Sequence, residues 1–143
     1  MNNFVLCAVD VSDIDSDADV LKTAAHLAEM DGAQLDVITV LPDFGMSLVG
    51  GFFKEGHQDK MVKIAKSHLD AFTEAHLTPE QNAKVRHVVT IGKTYEEVLK
   101  AAKKTNADLI VVGAHKADIK DYLLGPNAAR IVRHSKCSVF VVR

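Results

Sequence analysis

The sequence contains no tryptophan, and aromatic residues make up only 6% of its 143 residues. Proteins that bind single-stranded nucleic acids stack the bases on aromatic side chains, so this composition argues against such a surface. The formal net charge of −2 also argues against recruitment of nucleic acid or anionic membranes by the overall charge. We therefore expect no nucleic-acid partner.

Long apolar runs and cysteines are also scarce. No apolar run approaches the roughly 20 residues that span a bilayer, and residues 1–10 lack the pattern of a secretory signal. The two cysteines, Cys7 and Cys137, are too few for a disulfide framework. No HExxH motif or Cys/His cluster predicts a metal site. These absences favour a cytoplasmic protein that neither inserts into a membrane nor carries its own metal.

Short apolar segments alternate with amphipathic segments along the whole chain. The predicted strands are residues 4–9, 33–41, 83–91, 107–113 and 138–143; the predicted helices are residues 17–30 and 57–76, one that opens at Thr94, and 126–134. Apolar strands that alternate with helices are typical of a parallel sheet covered on both faces. We predict an α/β fold: a single-domain, doubly wound, five-stranded parallel sheet of order 3-2-1-4-5 with four helices, Rossmann-like in its winding. Pro79 is interpreted as a break, and residues 42–56 as a long loop.

A sheet of this order binds ligands beyond the carboxyl ends of its strands, between strands one and four. Asp10 follows strand one, Val40 lies near the end of strand two and Gly113 ends strand four. Asp10 could bind a ribose hydroxyl or a metal-bound water, or it could instead cap the first helix. Gly113 could let the backbone approach a ligand, and the helix after Gly125 could hold an anion. A plain turn and a helix cap are the alternatives for these glycines.

The segment Gly92-Lys93-Thr94 resembles the end of a P-loop, but that motif requires a glycine where His87 stands. We interpret Thr94 and Glu97 as a capping box instead. No serine lies in the context of a nucleophile elbow. We therefore predict no catalytic residue.

The most specific motifs lie at the two ends of the chain. AVDVSD at residues 8–13 and GAHKADIKDYLLGPNAARIVRHSKCSVFVVR at residues 113–143 resemble the universal stress protein (UspA) superfamily, most of all its F/G-type bacterial members. The resemblance implies one UspA domain over residues 1–143, with a fold like that of the adenine nucleotide alpha hydrolases. It also implies a cytoplasmic stress-response regulator that binds ATP or another adenine nucleotide, with Mg²⁺ as a possible companion of ATP. Such a regulator would act through an unknown protein partner.

The resemblance assigns roles to individual positions. Asp10 matches an aspartate near the ribose, Val40 a valine whose backbone reads the adenine edge, and Ala8 replaces a common proline beside the adenine. Gly113 and Gly125 match the outer glycines of the phosphate motif. The expected nucleotide contacts are Ala8, Val9, Asp10, Val40, Val112, Gly113, His115, Lys116, Gly125, Pro126 and Asn127.

The chain departs from the family pattern in the phosphate motif. Lys116 stands at the middle glycine, the loop between the outer glycines is one residue shorter, and Pro126 replaces a serine or threonine. A proline suits the first helical turn but supplies neither an N–H nor a hydroxyl. Lys116 could offset this loss as a charge beside the phosphates, and Asn127 as a donor. We expect a phosphate cradle of altered chemistry and, at most, slow ATP hydrolysis.

The alternative is a UspA-type dimeric interaction module that binds no nucleotide. The predicted last strand is apolar, and an apolar edge strand tends to pair with another chain. The resemblance implies a two-fold homodimer through this strand, which could assemble further into a tetramer. Arg130, Arg133 and His134 would flank this seam, or would form an ordinary solvated helix face.

Overall fold

The computed structural model describes residues 2–11, 14–43, 57–114 and 124–143. Its strands are β1 (Phe4–Ala8), β2 (Gln34–Leu41), β3 (Arg86–Ile91), β4 (Leu109–Gly113) and β5 (Ser138–Val142). The helices in this part of the chain are α1 (Ile14–Asp31), α2 (His57–His76), α3 (Pro79–Lys84), α4 (Thr94–Thr105) and α5 (Pro126–His134). The strands form one parallel sheet of order β3-β2-β1-β4-β5. The predicted fold class and strand order are confirmed.

The core lies on both faces of this sheet. In β1, Val5 and Cys7 belong to a cluster that includes Leu21 of α1, whereas Leu6 between them belongs to a cluster with Val98 of α4. Successive residues of a strand point to opposite faces, so a strand with helices on both sides is apolar at every position. This explains the continuous apolar runs of the sequence.

Helix α3 is absent from the sequence prediction, which treated Pro79 only as a break. Thr78 caps this helix: its hydroxyl accepts a hydrogen bond from the Gln81 N–H, and the Gln81 side chain accepts one from the Thr78 N–H. This is a capping box with proline at the first helical position. Pro79 therefore starts a helix, and the predicted number of four helices is too low.

The expected capping box of Thr94 and Glu97 is wrong. The N-cap of α4 is Lys93, and no side chain in the described part of the chain caps this helix. Gly92 has a φ of 150°, and a Cβ built on it would lie 2.8 Å from Glu97 Oε1. The carboxylate of Glu97 therefore packs against Gly92, a position that only glycine can occupy. Thr94 becomes the first residue of α4 and borders a cavity instead.

The outer strand β3 is held to β2 by an ion pair as well as by the backbone. Arg86 donates from Nε to Asp36 Oδ1 (2.6 Å) and from Nη2 to Asp36 Oδ2 (2.9 Å). Asp36 is buried, and the hydrogen bond with this carboxylate raises the pKa of Arg86.

Among the described helices, none combines the length and apolar character needed to cross a membrane.

Candidate functional site

A cavity of about 350 Å³ lies at the carboxyl ends of β1, β2 and β4. This volume is within the usual range for small-molecule sites, roughly 300–1,000 Å³. All the predicted contacts that the structure describes line it, namely Ala8, Val9, Asp10, Val40, Val112, Gly113, Gly125, Pro126 and Asn127. The remaining two, His115 and Lys116, lie outside the described residues, as does most of the predicted loop over residues 42–56.

The cavity also contains residues that the sequence analysis missed. These are Asp17, Ile38, Thr94, Val98, Ala114, Ala128 and Ile131. Val98, Ala128 and Ile131 continue the core beneath the cavity, and the periodic apolar spacing of α4 and α5 is the signal that could have found them. Thr94 belonged to the dismissed P-loop-like segment.

Asp17 connects helix α1 to the turn after β1. Its carboxylate accepts a hydrogen bond from the backbone N–H of Asp10. Burial, and secondarily the negative charge of Asp17, raises the pKa of the Cys7 thiol. The thiol therefore stays protonated, and it lies 3.9 Å from the carbonyl oxygen of Val20, to which it can donate. Cys7 is a core residue, and Asp17 is a structural support of the Asp10 turn.

The end of β2 projects beyond the end of β1. Pairing of the two strands stops at Ala8 and Ile38, with one further bond from the Val9 N–H to the Ile38 carbonyl (2.9 Å). On the other side of β2, the Leu41 carbonyl accepts from the Gly92 N–H (2.9 Å). Successive residues of a strand direct their N–H and C=O groups alternately to the two neighbouring strands. The N–H and C=O of Val40 therefore point toward the β1 side, beyond the last residue pair of β1 and β2. These two groups can bind the edge of a planar ligand.

The opposite end of the cavity is the N-terminus of α5. The Gly125 N–H already donates to the Ala114 carbonyl, and Pro126 has no N–H. The first backbone bond within the helix runs from Ala129 to Gly125, and among the described residues no side chain caps the helix. The N–H groups of Asn127 and Ala128 are therefore the donors without an intrahelical partner. Both residues line the cavity, and donors at a helix N-terminus suit an anion.

Gly113 has a structural reason to be glycine. A Cβ built on it would lie 3.3 Å from Val20 Cγ2 and 3.5 Å from Asp17 Oδ1. The missing side chain thus allows α1 to pack closely against the end of β4. Gly113 also lines the cavity, so close approach of a ligand to its backbone stays a prediction.

A second cavity of about 500 Å³ adjoins the first. The two share Asp10, Val40, Thr94 and Asn127, and the second adds Pro42, Gly92, Lys93, Tyr95 and Arg130. The guanidinium carbon of Arg130 lies 5.0 Å from the centre of the Tyr95 ring, a cation–π contact.

Among the described residues, no group of three His, Cys, Asp or Glu side chains is placed to hold a metal ion.

Comparisons with known proteins agree with the sequence motifs. A profile described as the Universal stress protein family matches residues 1–143. The chain is 30% identical to Universal stress protein A homolog 1 of Coxiella burnetii, over 96% of this chain and 94% of that protein. It is 26% identical to Universal stress protein G of Shigella flexneri over the full length of both.

Solved structures share the fold. One is the universal stress protein from Archaeoglobus fulgidus in complex with dAMP, with a TM-score of 0.70 and 20% identity over 99% of this chain and 98% of that one. Another is a universal stress protein in complex with cAMP, with a TM-score of 0.65 and 23% identity over 99% and 97%. At these identities the likeness concerns the fold alone.

Proposed function

The chain belongs to the universal stress protein family, and from that premise we propose that it is a regulator that binds an adenine nucleotide at the carboxyl ends of β1, β2 and β4. One observation carries the proposal: a single cavity brings together Val40 at the end of β2, the Asp10 turn and the N-terminus of α5. Two proteins of the same fold have been solved with adenine nucleotides, dAMP and cAMP.

In this proposal the base lies against the end of β2. The N–H and C=O of Val40 complement an acceptor nitrogen and the amino group on the edge of adenine. The apolar side chains of Ala8, Ile38 and Val98 would contact the faces of the ring. A guanine presents a carbonyl oxygen where adenine has its amino group, so the same backbone groups would disfavour it.

The ribose and the phosphate occupy the rest of the cavity. The Asp10 carboxylate would accept from a ribose hydroxyl, and the N–H groups of Asn127 and Ala128 would donate to a phosphate. Because Gly125 and Pro126 contribute no donor, this cradle holds fewer bonds than the family pattern implies. ATP with Mg²⁺ and the shorter adenine nucleotides all carry a phosphate next to the ribose, and this phosphate would bind in the cradle.

We propose regulation through a protein partner rather than catalysis. Within the described residues, the cavity contains two carboxylates, Asp10 and Asp17, and neither a lysine nor a histidine. Asp17 already accepts from the backbone of Asp10, so it is poorly placed to activate a water. Any hydrolysis of ATP would be slow. A cytoplasmic role in the stress response belongs to the same proposal.

A second candidate function is favoured by the exposed edge of the sheet. β5 is an outer strand, Phe140 on it is 44% exposed, and Val132 on the adjacent α5 is 45% exposed. We propose that a second copy of this chain covers this edge. The dimer could exist with or without bound nucleotide, and further pairing would give a tetramer.

Titration calorimetry with AMP, ATP and GMP tests the proposed function. We expect adenine nucleotides to bind and GMP to bind more weakly, and we expect Asp10→Ala to weaken AMP binding about tenfold through loss of a charge-assisted hydrogen bond. Asp59→Ala, at an exposed position of α2, is the matched control. If no adenine nucleotide produces heat, and denatured fresh protein releases none to mass spectrometry, the proposal is wrong.

A further inference from the structure

The second cavity shares Asp10, Val40 and Asn127 with the proposed nucleotide site, but it adds residues that the nucleotide proposal does not use. It extends toward β3 and the start of α4, where Gly92 and Lys93 line it, whereas Gly113 at the end of β4 lines the first cavity alone. Asp10 and Asn127 line both cavities. A ligand whose ribose lies at Asp10 therefore has open space on two sides.

Two cationic side chains border this second cavity. Lys93 is exposed at the N-cap of α4, and Arg130 is exposed on α5. Within the part of the chain that the structure describes, neither forms an ion pair with a carboxylate; the described ion pairs are those of Arg86, His87 and Lys100. Among the described residues that line this cavity, the carboxylate is that of Asp10, at the boundary with the first cavity.

The contact of Arg130 with Tyr95 prepares the guanidinium for an anion. The guanidinium contacts the ring through a cation–π interaction and keeps N–H groups that can donate to an anion. Tyr95 in turn donates its hydroxyl to Glu96 Oε1 (3.2 Å). A guanidinium held in this way loses less conformational entropy when it binds a phosphate.

We infer that the second cavity receives a second phosphate group, attached through the 2′ or 3′ oxygen of the ribose of the bound nucleotide. This inference rests on the proposed function, because it takes the ribose to lie at Asp10. The phosphate esters of that oxygen point away from the 5′ phosphate, toward Lys93 and Arg130. The carboxylate of Asp10 binds the remaining hydroxyl.

The cations of the second cavity set the ligand class. Lys93 and Arg130 favour an anionic group, and a volume of about 500 Å³ admits one. Nucleoside bisphosphates and dinucleotides linked through the 3′ oxygen share the required chemistry. These compounds differ from AMP in the additional phosphate ester on the ribose.

The experiment compares adenosine 3′,5′-bisphosphate with 5′-AMP by titration calorimetry. We expect the bisphosphate to bind about tenfold more tightly at low salt, an advantage that shrinks as salt screens the exposed cations. Lys93→Met and Arg130→Met should each reduce this ratio of affinities, and the double variant should abolish it. Lys104→Met, at the other end of α4, is the matched control and should keep the wild-type ratio.

The outcomes separate this inference from the proposed function. If AMP binds but the bisphosphate has no advantage, or if its advantage survives in the double variant, only the inference is overturned. If neither ligand binds, both proposals are wrong. Thermal unfolding of each variant checks that the exposed substitutions leave the fold intact. A 3′-linked diadenosine phosphate should show the same dependence on Lys93 and Arg130, and loss of that dependence would count against the inference.

Discussion

The carboxylate of Asp17, in the first turn of α1, accepts a hydrogen bond from the backbone N–H of Asp10, which follows β1. This bond ties the turn after β1 to a helix that packs on the opposite face of the sheet from α4 and α5. It therefore holds Asp10 at the boundary between the two cavities.

Asp17→Ala should weaken nucleotide binding without unfolding the protein. Loss of the bond leaves the Asp10 turn less restrained, so part of the binding free energy is spent on ordering it. We expect AMP affinity to fall about fivefold and the free energy of unfolding by about 1 kcal/mol. Calorimetry and urea denaturation measure the two. Asp19→Ala, on an exposed position of the same helix, should change neither; equal effects in both variants would refute this role.

Asn127→Asp should stabilise the protein while it weakens the binding of nucleotides. A negative charge in the first turn of α5 interacts favourably with the helix dipole by about 0.3–1 kcal/mol. The same charge repels a phosphate at the Asn127 and Ala128 amides. Thermal unfolding should show a raised midpoint, and calorimetry a loss of AMP affinity with adenosine binding less affected. An unchanged ratio of AMP to adenosine affinity would mean that the phosphate lies elsewhere.

Gly113→Val should destabilise the protein through α1. The added side chain collides with Val20, and overpacking of this kind costs about 1–3 kcal/mol. The double variant Gly113→Val with Val20→Ala should recover part of this loss, and the coupling follows from a double-mutant cycle in urea denaturation. Additive effects would show that Val20 is not the obstacle. For this reason a loss of ligand binding in Gly113→Val is not by itself evidence of a ligand contact.

The strand order could be predicted because the sequence of each strand indicates whether helices cover one or both of its faces. Leu6 alternates with Val5 and Cys7 between two helix layers, so an uninterrupted apolar run is a direct sign of a doubly covered parallel strand. From this order the position of Asp10 beside Val40 and Gly113 follows by topology. The capping box of α3 was also readable, since Thr78, Pro79 and Gln81 have the required spacing.

The remaining site residues depend on tertiary contacts that no short window contains. Thr94 and Glu97 have the spacing of a capping box, but the approach of Glu97 to Gly92 decides against it. Asp17 lies in an acidic run that resembles any helix start, and its bond to Asp10 depends on how α1 crosses the sheet. Lys93 and Arg130 likewise line the same cavity only because α4 packs beside α5.

Phe140→Lys should convert a dimer into a monomer. β5 is an outer strand, and a lysine there opposes edge pairing with a second chain. Multi-angle light scattering measures the mass. Ile64→Lys is the matched control, because Ile64 is also exposed but lies on α2. A dimer that persists in Phe140→Lys would place the contact on another surface.

Asp108→Asn should make stability less sensitive to acid. Asp108 Oδ2 accepts from the backbone N–H groups of Asn3 (2.7 Å) and Phe4 (3.0 Å), and these bonds lower the pKa of Asp108. Because the pKa of Asp108 is lower in the folded protein, its carboxylate stabilises the fold at pH values above the ordinary Asp pKa of about 4. This contribution is lost as the pH falls through the lower pKa of the folded protein. Urea denaturation at about pH 3 and pH 6 should show a smaller difference for Asp108→Asn than for wild type. The control Asp19→Asn, at an exposed position of α1 beyond its first turn, should behave as wild type, and an unchanged difference in Asp108→Asn would refute the assignment.

The most direct test maps backbone amides in isotope-labelled protein by nuclear magnetic resonance while AMP is added. The account predicts that the largest shifts fall on the amides of Val40, Asn127 and Ala128 and on the turn at Asp10, all saturating at one ligand concentration. Resonances that do not move with AMP, or shifts confined to residues away from these strand ends, would contradict a nucleotide site between the end of β2 and the start of α5.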